Sequence, residues 1–179
     1  MKTKLTYFGH ACFMLTNGDV SMIFDPFLTC NTWDIAKKED IKCQYIFVSH
    51  GHDDHYGDTE FIAKANDALV ISTAEVAGKA AAAGCRTHAM HLGGKYDFEF
   101  GSVRIVPAFH GAGVPGGHAA GCIVNFFGDI VYFAGDTALF SDMKLLNRFG
   151  DIDYALLPIG DNYTMGVEDA ALAASYVKA

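Results

Sequence analysis

Seven residues, Ser49-His50-Gly51-His52-Asp53-Asp54-His55, most constrain what this sequence can fold into. They read His-x-His-x-Asp-His, four potential metal ligands within six positions. The segment follows Cys43-Gln44-Tyr45-Ile46-Phe47-Val48, a short apolar run bounded by polar residues and predicted to be a buried strand. Tyr56-Gly57-Asp58-Thr59 comes next and reads as a helix start, with Asp58 or Thr59 as its cap. A core strand must therefore end in a loop that presents imidazoles and carboxylates to solvent. Groups of this kind held so close are poorly accommodated without a cation to organise them. Imidazole and carboxylate suit zinc, and manganese or iron accept the same ligand types. The rival reading is a polar loop with incidental histidines. It accounts for one His but not for this spacing after a buried strand. The helical His-Glu-x-x-His pattern of metalloproteases does not apply, because the Glu is absent and the spacing differs.

Composition narrows the class. A chain of 179 residues reads as one domain, 1–179, and its 51% hydrophobic content suffices for a real core. The net charge of −8 argues against a nucleic-acid partner, which needs a basic footprint. A pocket holding divalent metal would still be locally positive, so a small anionic substrate stays compatible. The five cysteines (Cys12, Cys30, Cys43, Cys85, Cys122) form no Cys-x-x-Cys pair and suit a reducing cytoplasm, with thiols packed in the core. Gly9-His10 and then Asp19 and Asp25 break any secretory signal, and no run approaches the ~20 apolar residues of a membrane span. The expectation is a cytoplasmic protein with no membrane partner.

Taken in order, residues 4–8, 11–16 and 20–25 read as strands, the last two joined by an Asn17-Gly18 hairpin turn. His10, between the first two, is either a structural histidine or a neighbour of the ligand loop. Asp25, at a strand end, either caps the Pro26 turn or supports the histidine loop. Residues 28–42 read as loop with a short helical turn, with Trp33 as a packed anchor. Helices are predicted over 58–66 and 73–83, the second stopped by Gly84, and strands over 69–71 and 86–90. His88 and His91 read as surface or strand-edge residues. A hairpin is predicted over 96–108 through Gly101-Ser102. Its second strand runs into His110 and the glycine-rich stretch 111–118, repeating the pattern of apolar strand, His and flexible loop. His118 is expected to be exposed there. A second hairpin, 121–134 through Gly128-Asp129, ends at Gly135-Asp136-Thr137. Asp136 is either a metal ligand or the cap of a helix over 139–149, a task that Ser141 or Asp142 could take. A strand over 154–158 and a helix over 167–179 complete the chain.

The His50-His52-Asp54-His55 pattern resembles the signature of the metallo-β-lactamase superfamily. The resemblance runs through Tyr7-Phe8-Gly9-His10-Ala11-Cys12, Phe24-Asp25-Pro26-Phe27, Pro107-Ala108-Phe109-His110, Ala134-Gly135-Asp136-Thr137 and Leu157-Pro158-Ile159-Gly160-Asp161. Within that superfamily it is similar to the bacterial metal-dependent hydrolases of the ascorbate-6-phosphate lactonase type. The resemblance implies an α+β fold, a four-layer αββα sandwich of two mixed sheets between helices. It implies one metal on His50, His52 and His110, and a second on Asp54 and His55 with Asp136 bridging. Asp25 and His10 would support these ligands from outside the coordination shell. The family pattern continues beyond this sequence with another strand, a last ligand histidine and a further helix. The chain is therefore expected to be C-terminally incomplete. A complementing segment or a second copy would then cover the exposed sheet edge.

The chemistry implied is hydrolysis. Two zinc ions about 3.5–4 Å apart would share a hydroxide that attacks a small ester, lactone or phosphoester. Asp54 would orient that nucleophile or take its proton. Two other classes stand beside this one. A metal-binding protein without turnover would follow from the incomplete second site. A redox member of the superfamily is disfavoured, because no electron-donor domain is evident.

Overall fold

The computed structural model describes residues 2–29, 31–32 and 35–179, so Cys30 and the Trp33 anchor lie outside the described residues. The chain divides into two units, Met1–His91 with Ala112–His118, and Leu92–Gly111 with Ala119–Ala179.

The first unit is built on a six-stranded mixed sheet. Its strands lie in chain order: β1 (Lys4–Gly9), β2 (Cys12–Asn17), β3 (Val20–Phe24), β4 (Tyr45–Phe47), β5 (Leu69–Thr73) and β6 (Thr87–Met90). β1 to β3 form an antiparallel meander, but its second hairpin turns at Gly18-Asp19, one residue after the Asn17-Gly18 expected, because Asn17 is taken up by pairing with Val20. From β3 onward neighbouring strands are parallel. Parallel neighbours need crossovers, and helices supply two of them. α1 (Asp53–Tyr56) and α2 (Thr59–Asn66) link β4 to β5, and α3 (Ala74–Ala82) links β5 to β6. Ile23, Ile46, Val48 and Val70 on the sheet pack with Ile62, Val76 and Ala80 on the helices, all of them fully buried. Each large aliphatic so buried contributes roughly 1.5–3 kcal/mol against exposure. Because β3, β4, β5 and β6 run parallel, their C-terminal ends open along one edge, where α/β sheets generally place their chemistry.

Two local expectations change here. Asp53–Tyr56 is a single helical turn rather than open loop, with Tyr56 N–H donating to His52 C=O at 2.8 Å. Asp58 does hold the N-cap position of α2, but its side chain makes no cap hydrogen bond. It reaches instead to the 28–29 loop, accepting from Leu28 N–H (3.0 Å), Thr29 N–H (2.7 Å), Thr29 Oγ1 (2.7 Å) and Lys38 Nζ (3.2 Å). Gly57 between the two helices has φ +39°, and a Cβ there would lie 2.6 Å from the Pro26 carbonyl oxygen. Only glycine permits that approach.

The second unit holds a five-stranded sheet in the order β11-β10-β9-β8-β7. β7 (Lys95–Phe98), β8 (Gly101–Pro107), β9 (Ala120–Phe126) and β10 (Asp129–Phe133) form an antiparallel meander, and β11 (Tyr154–Leu156) adds parallel to β10. The first hairpin turns at Glu99-Phe100, not at Gly101-Ser102. Gly101 and Ser102 are taken up by pairing with Phe126 and Asn125, while Phe100 is buried and stacks on Phe98 at 5.3 Å. The second hairpin turns at Phe127-Gly128, one residue before the Gly128-Asp129 expected, and both turn residues have positive φ. The helix expected over 139–149 is a 3₁₀ helix, Ser141–Phe149. Met143 and Leu146 are both buried and three apart, and a three-residue turn keeps them on one face. α4 (Val167–Val177) buries Ala170, Ala173 and Val177, and Asn147 Nδ2 donates to the Tyr176 carbonyl at 3.0 Å.

Cys12, Cys43 and Cys122 are buried free thiols, in keeping with a packing role. Burial pushes Cys43 up to about 12 and Cys12 higher still, so neither presents a thiolate near neutral pH. Among the described residues no helix is long and apolar enough to cross a membrane.

Asp58 gives the fold a pH signature. Burial raises its pKa, but the hydrogen bonds from Thr29, Leu28 and Lys38 outweigh burial and hold the carboxyl below its usual value. A carboxyl depressed by folding adds stability above its unfolded pKa, ~3.9, and loses it as pH falls through the folded value. Asp58→Asn should cost about 1–3 kcal/mol near neutrality. Denaturant melts between about pH 6 and pH 3 should show the wild type losing more stability on acidification than this variant. Parallel losses would contradict the assignment.

Candidate metal centre

Asp25 sits where β3 ends, beside the end of β4, and its N–H donates to Phe47 C=O at 2.9 Å. The residue is fully buried, with φ +39°. A buried carboxylate must be satisfied, and three donors converge on it. Ser49 N–H reaches Oδ1 at 2.7 Å, Ser49 Oγ reaches Oδ2 at 2.5 Å, and His55 Nδ1 reaches Oδ2 at 2.7 Å.

The hydrogen-bond partners point to one set of histidine tautomers. A carboxylate oxygen accepts, so His55 donates from Nδ1, and in the neutral imidazole the lone pair then sits on Nε2. Ser49 spends its hydroxyl hydrogen on Asp25. Its oxygen is 2.9 Å from His50 Nδ1, so it accepts from that nitrogen, and His50 likewise presents Nε2 as a lone pair. One carboxylate thus fixes two imidazoles, one directly and one through Ser49. Orientation of this kind is what metal-ligating histidines require. Asp25 can be grouped with His50 and His55 by distance, but it faces their Nδ1 side and so positions them.

The outward nitrogens have company. His50 Nε2 lies 3.0 Å from His52 Nδ1, and the two rings meet edge-on. His50 and His55 are 4.2 Å apart between ring centroids, and His55 and His10 5.1 Å. His10 Nε2 stands 3.2 Å from Asp54 Oδ2, and His55 Nε2 stands 3.9 Å from that same oxygen. Ligand atoms of His10, Asp54 and His55 all fall within 4.8 Å of one another. Four imidazoles and a half-exposed carboxylate therefore line one edge of the first sheet. This donor set fits a divalent cation of the zinc, manganese or iron type.

The 112–118 stretch closes over the motif. Gly51 N–H donates to Ala112 C=O at 2.7 Å, and a Cβ on Gly113 would lie 2.3 Å from the His52 backbone nitrogen. Lys79 Nζ lies 3.4 Å from the Gly51 carbonyl oxygen and 3.9 Å from the Tyr56 ring centroid.

In the second unit β8 and β10 flank β9 and end on the same side, and their ends carry His110 and Asp136. The buried Thr137 draws these ends together: its Oγ1 accepts from Phe109 N–H at 2.9 Å, while Ala138 N–H donates to Phe109 C=O at 3.2 Å. His110 Nε2 is then 3.6 Å from Asp136 Oδ2, with both side chains mostly buried. Asp136 does not cap the 3₁₀ helix, which starts after Phe140.

The model of the β-lactamase superfamily domain matches residues 4–179, nearly the whole chain. The chain belongs to the metallo-β-lactamase superfamily. Curated relatives in the superfamily include a UPF0173 metal-dependent hydrolase of Natranaerobius thermophilus, 51% identical over 98% of this chain and 79% of the relative. The UPF0173 metal-dependent hydrolase YtkL of Bacillus subtilis is 46% identical over 98% and 82%. Among solved structures, Igni18, a metallo hydrolase of Ignicoccus hospitalis, aligns with TM-score 0.87 at 30% identity, over 98% of this chain and 78% of that one. The two mixed sheets with their helices are those of the α+β metallo-β-lactamase fold.

Ser49 carries a task that its sequence position did not announce. The available signal was a small hydroxyl residue between a buried strand and the first histidine of a ligand motif. Glu75, His91 and His118 also approach one another, although the two histidines read as isolated surface residues in the sequence.

Replacing Asp25 with Asn tests the positioning role. An amide that turns its NH₂ toward His55 would force Nδ1 to accept, moving the proton to Nε2 and blocking the lone pair. Zinc affinity, measured by competition with a chromogenic chelator, should fall 10–100-fold while the circular dichroism spectrum is retained. Unchanged affinity in a folded variant would refute that role.

Proposed function

We propose that this chain is a metal-dependent hydrolase of small ester, lactone or phosphoester substrates. The observation that carries the reading is the Asp25–Ser49–His50–His55 network, which turns two imidazole lone pairs toward His52, Asp54 and His10. The names of the curated relatives, metal-dependent hydrolases, support it. The proposed ligands are His50, His52 and His110 for one ion, and Asp54, His55 and Asp136 for a second, with zinc the first choice. His110 and Asp136 enter this set through the sequence resemblance. When bound, such an ion supplies Lewis acidity and lowers the pKa of a coordinated water toward ~7.

The protein's own groups do the rest. Asp25 holds His50 and His55 in the tautomer that leaves Nε2 free of hydrogen. Asp54, half exposed, orients the attacking water or accepts its proton, and His10 at 3.2 Å steadies that carboxylate. His10 is also exposed enough, at 41%, to touch a bound substrate. The net charge of −8 disfavours a nucleic-acid substrate and leaves small molecules as the class. A lactone or phosphorylated sugar-acid ester is the finer expectation from the sequence resemblance.

The test is a panel of an aryl ester, a γ-lactone, an aryl phosphate monoester and an aryl phosphodiester, assayed with metal-free and zinc- or manganese-loaded protein. Hydrolysis of at least one class should require metal and stop with chelator. Asp54→Ala should lower kcat on that substrate by about 10²–10⁴. Metal binding without turnover of any member would instead support a non-catalytic metal-binding protein.

A further inference from the structure

The C-terminal ends of β5 and β6 lie side by side, with Thr73 opposite Met90 in the parallel register. One residue past Met90 is His91, and two residues past Thr73 is Glu75, in the first turn of α3. The end of the 112–118 loop is pinned to the same place. Thr73 Oγ1 donates to the His118 carbonyl at 3.3 Å, and a Cβ on Gly117 would lie 3.3 Å from Glu75 Cβ. Three strand-end and loop positions far apart in sequence are thereby gathered at one spot.

The side chains there form a ligand set. Ligand atoms of Glu75, His91 and His118 all lie within 4.8 Å of one another, and the two imidazole centroids are 5.3 Å apart. Glu75 Oε2 is buried and accepts no hydrogen bond among the described residues. A buried carboxylate oxygen without a donor is costly, and helix N-terminal position alone does not supply the missing partner. Bonds of roughly 2.0–2.1 Å in tetrahedral geometry place ligand atoms about 3.4 Å apart. Both histidines are exposed, so small rotations of their rings close the remaining distance. None of the three residues belongs to the ligand set proposed for hydrolysis.

We propose that Glu75, His91 and His118 form a separate binding site for a divalent transition metal, zinc being the first candidate. Two imidazoles and one carboxylate suit zinc and its neighbours and leave a coordination position for water. Three protein ligands drawn from α3, the β6 end and the 112–118 loop make the ion a clamp on that loop. The clamp is linked to the histidine motif by contact, because Gly113 of the same loop presses on the His52 backbone.

The probe is zinc chloride, titrated calorimetrically into the full chain. The variants His91→Ala and His118→Ala alter exposed side chains, and Glu75→Gln keeps the shape of the third ligand. Each should bind one zinc fewer per chain than the wild type, or bind that zinc at least tenfold more weakly. Equal stoichiometry and affinity in all three would overturn the proposal. A measurement on the wild type keeps the test independent of variant folding. In histidine-selective ¹⁵N spectra, zinc should move the His91 and His118 imidazole signals together. Zinc that shifts only His50, His52 or His55 would overturn the second site while leaving the hydrolase reading intact. Zinc that shifts His91 and His118 but leaves every substrate uncleaved would do the reverse.

Discussion

A carboxylate removed from water is tolerated only if donors surround it, and the first unit is arranged to surround Asp25. The pairing of β3 with β4 brings the Asp25 backbone to Phe47 and its side chain to Ser49. The single helical turn that follows returns His55 to the same carboxylate. Removing the charge would release both histidines at once, because each takes its tautomer from that one group. The left-handed backbone of Asp25 belongs to the same constraint: an uncommon conformation persists where its surroundings over-determine it.

The sheet topology explains why these groups meet. Strands β3 to β6 run parallel, so every β-to-α connection starts on the same edge. That edge receives Asp25, the His50–His55 motif, Glu75 and His91 from four successive strand ends. Glycines then let the 112–118 loop lie against the motif's main chain, where a side chain at Gly113 would collide with His52. The second unit repeats the device with an antiparallel meander, in which alternate strands end together and Thr137 ties His110 to the neighbourhood of Asp136.

Much of this was legible in the sequence. The histidine motif after an apolar run, a hairpin turn at Gly18 (though one residue later than Asn17-Gly18) and the Gly84 helix stop are local signals, and local physics decided them. Where long-range packing decides, the sequence spoke less clearly. The first hairpin of the second unit turns at Glu99-Phe100 because Phe100 is drawn into an aromatic cluster, not because of the nearby Gly101. The 141–149 segment is a 3₁₀ helix, a winding that keeps the buried Met143 and Leu146 on one face. Asp58 looked like a cap, but its neighbours in space are Leu28, Thr29 and Lys38, some twenty to thirty positions earlier. The approach of His91 and His118 depends on the register of β5 with β6, which no local pattern encodes. The role of Ser49 was hidden for the same reason, since its partner Asp25 lies on another strand.

The central claim is that Asp25 presets the histidine tautomers before any metal arrives. Long-range ¹H–¹⁵N correlation spectra of the metal-free protein, with histidines labelled, read those tautomers directly. The expected result is hydrogen on Nδ1 and a lone pair on Nε2 for both His50 and His55, with His52 Nδ1 donating to His50 Nε2. Hydrogen on Nε2 with a bare Nδ1 in either His50 or His55 would contradict the account, because that Nδ1 could then no longer donate to Ser49 or to Asp25.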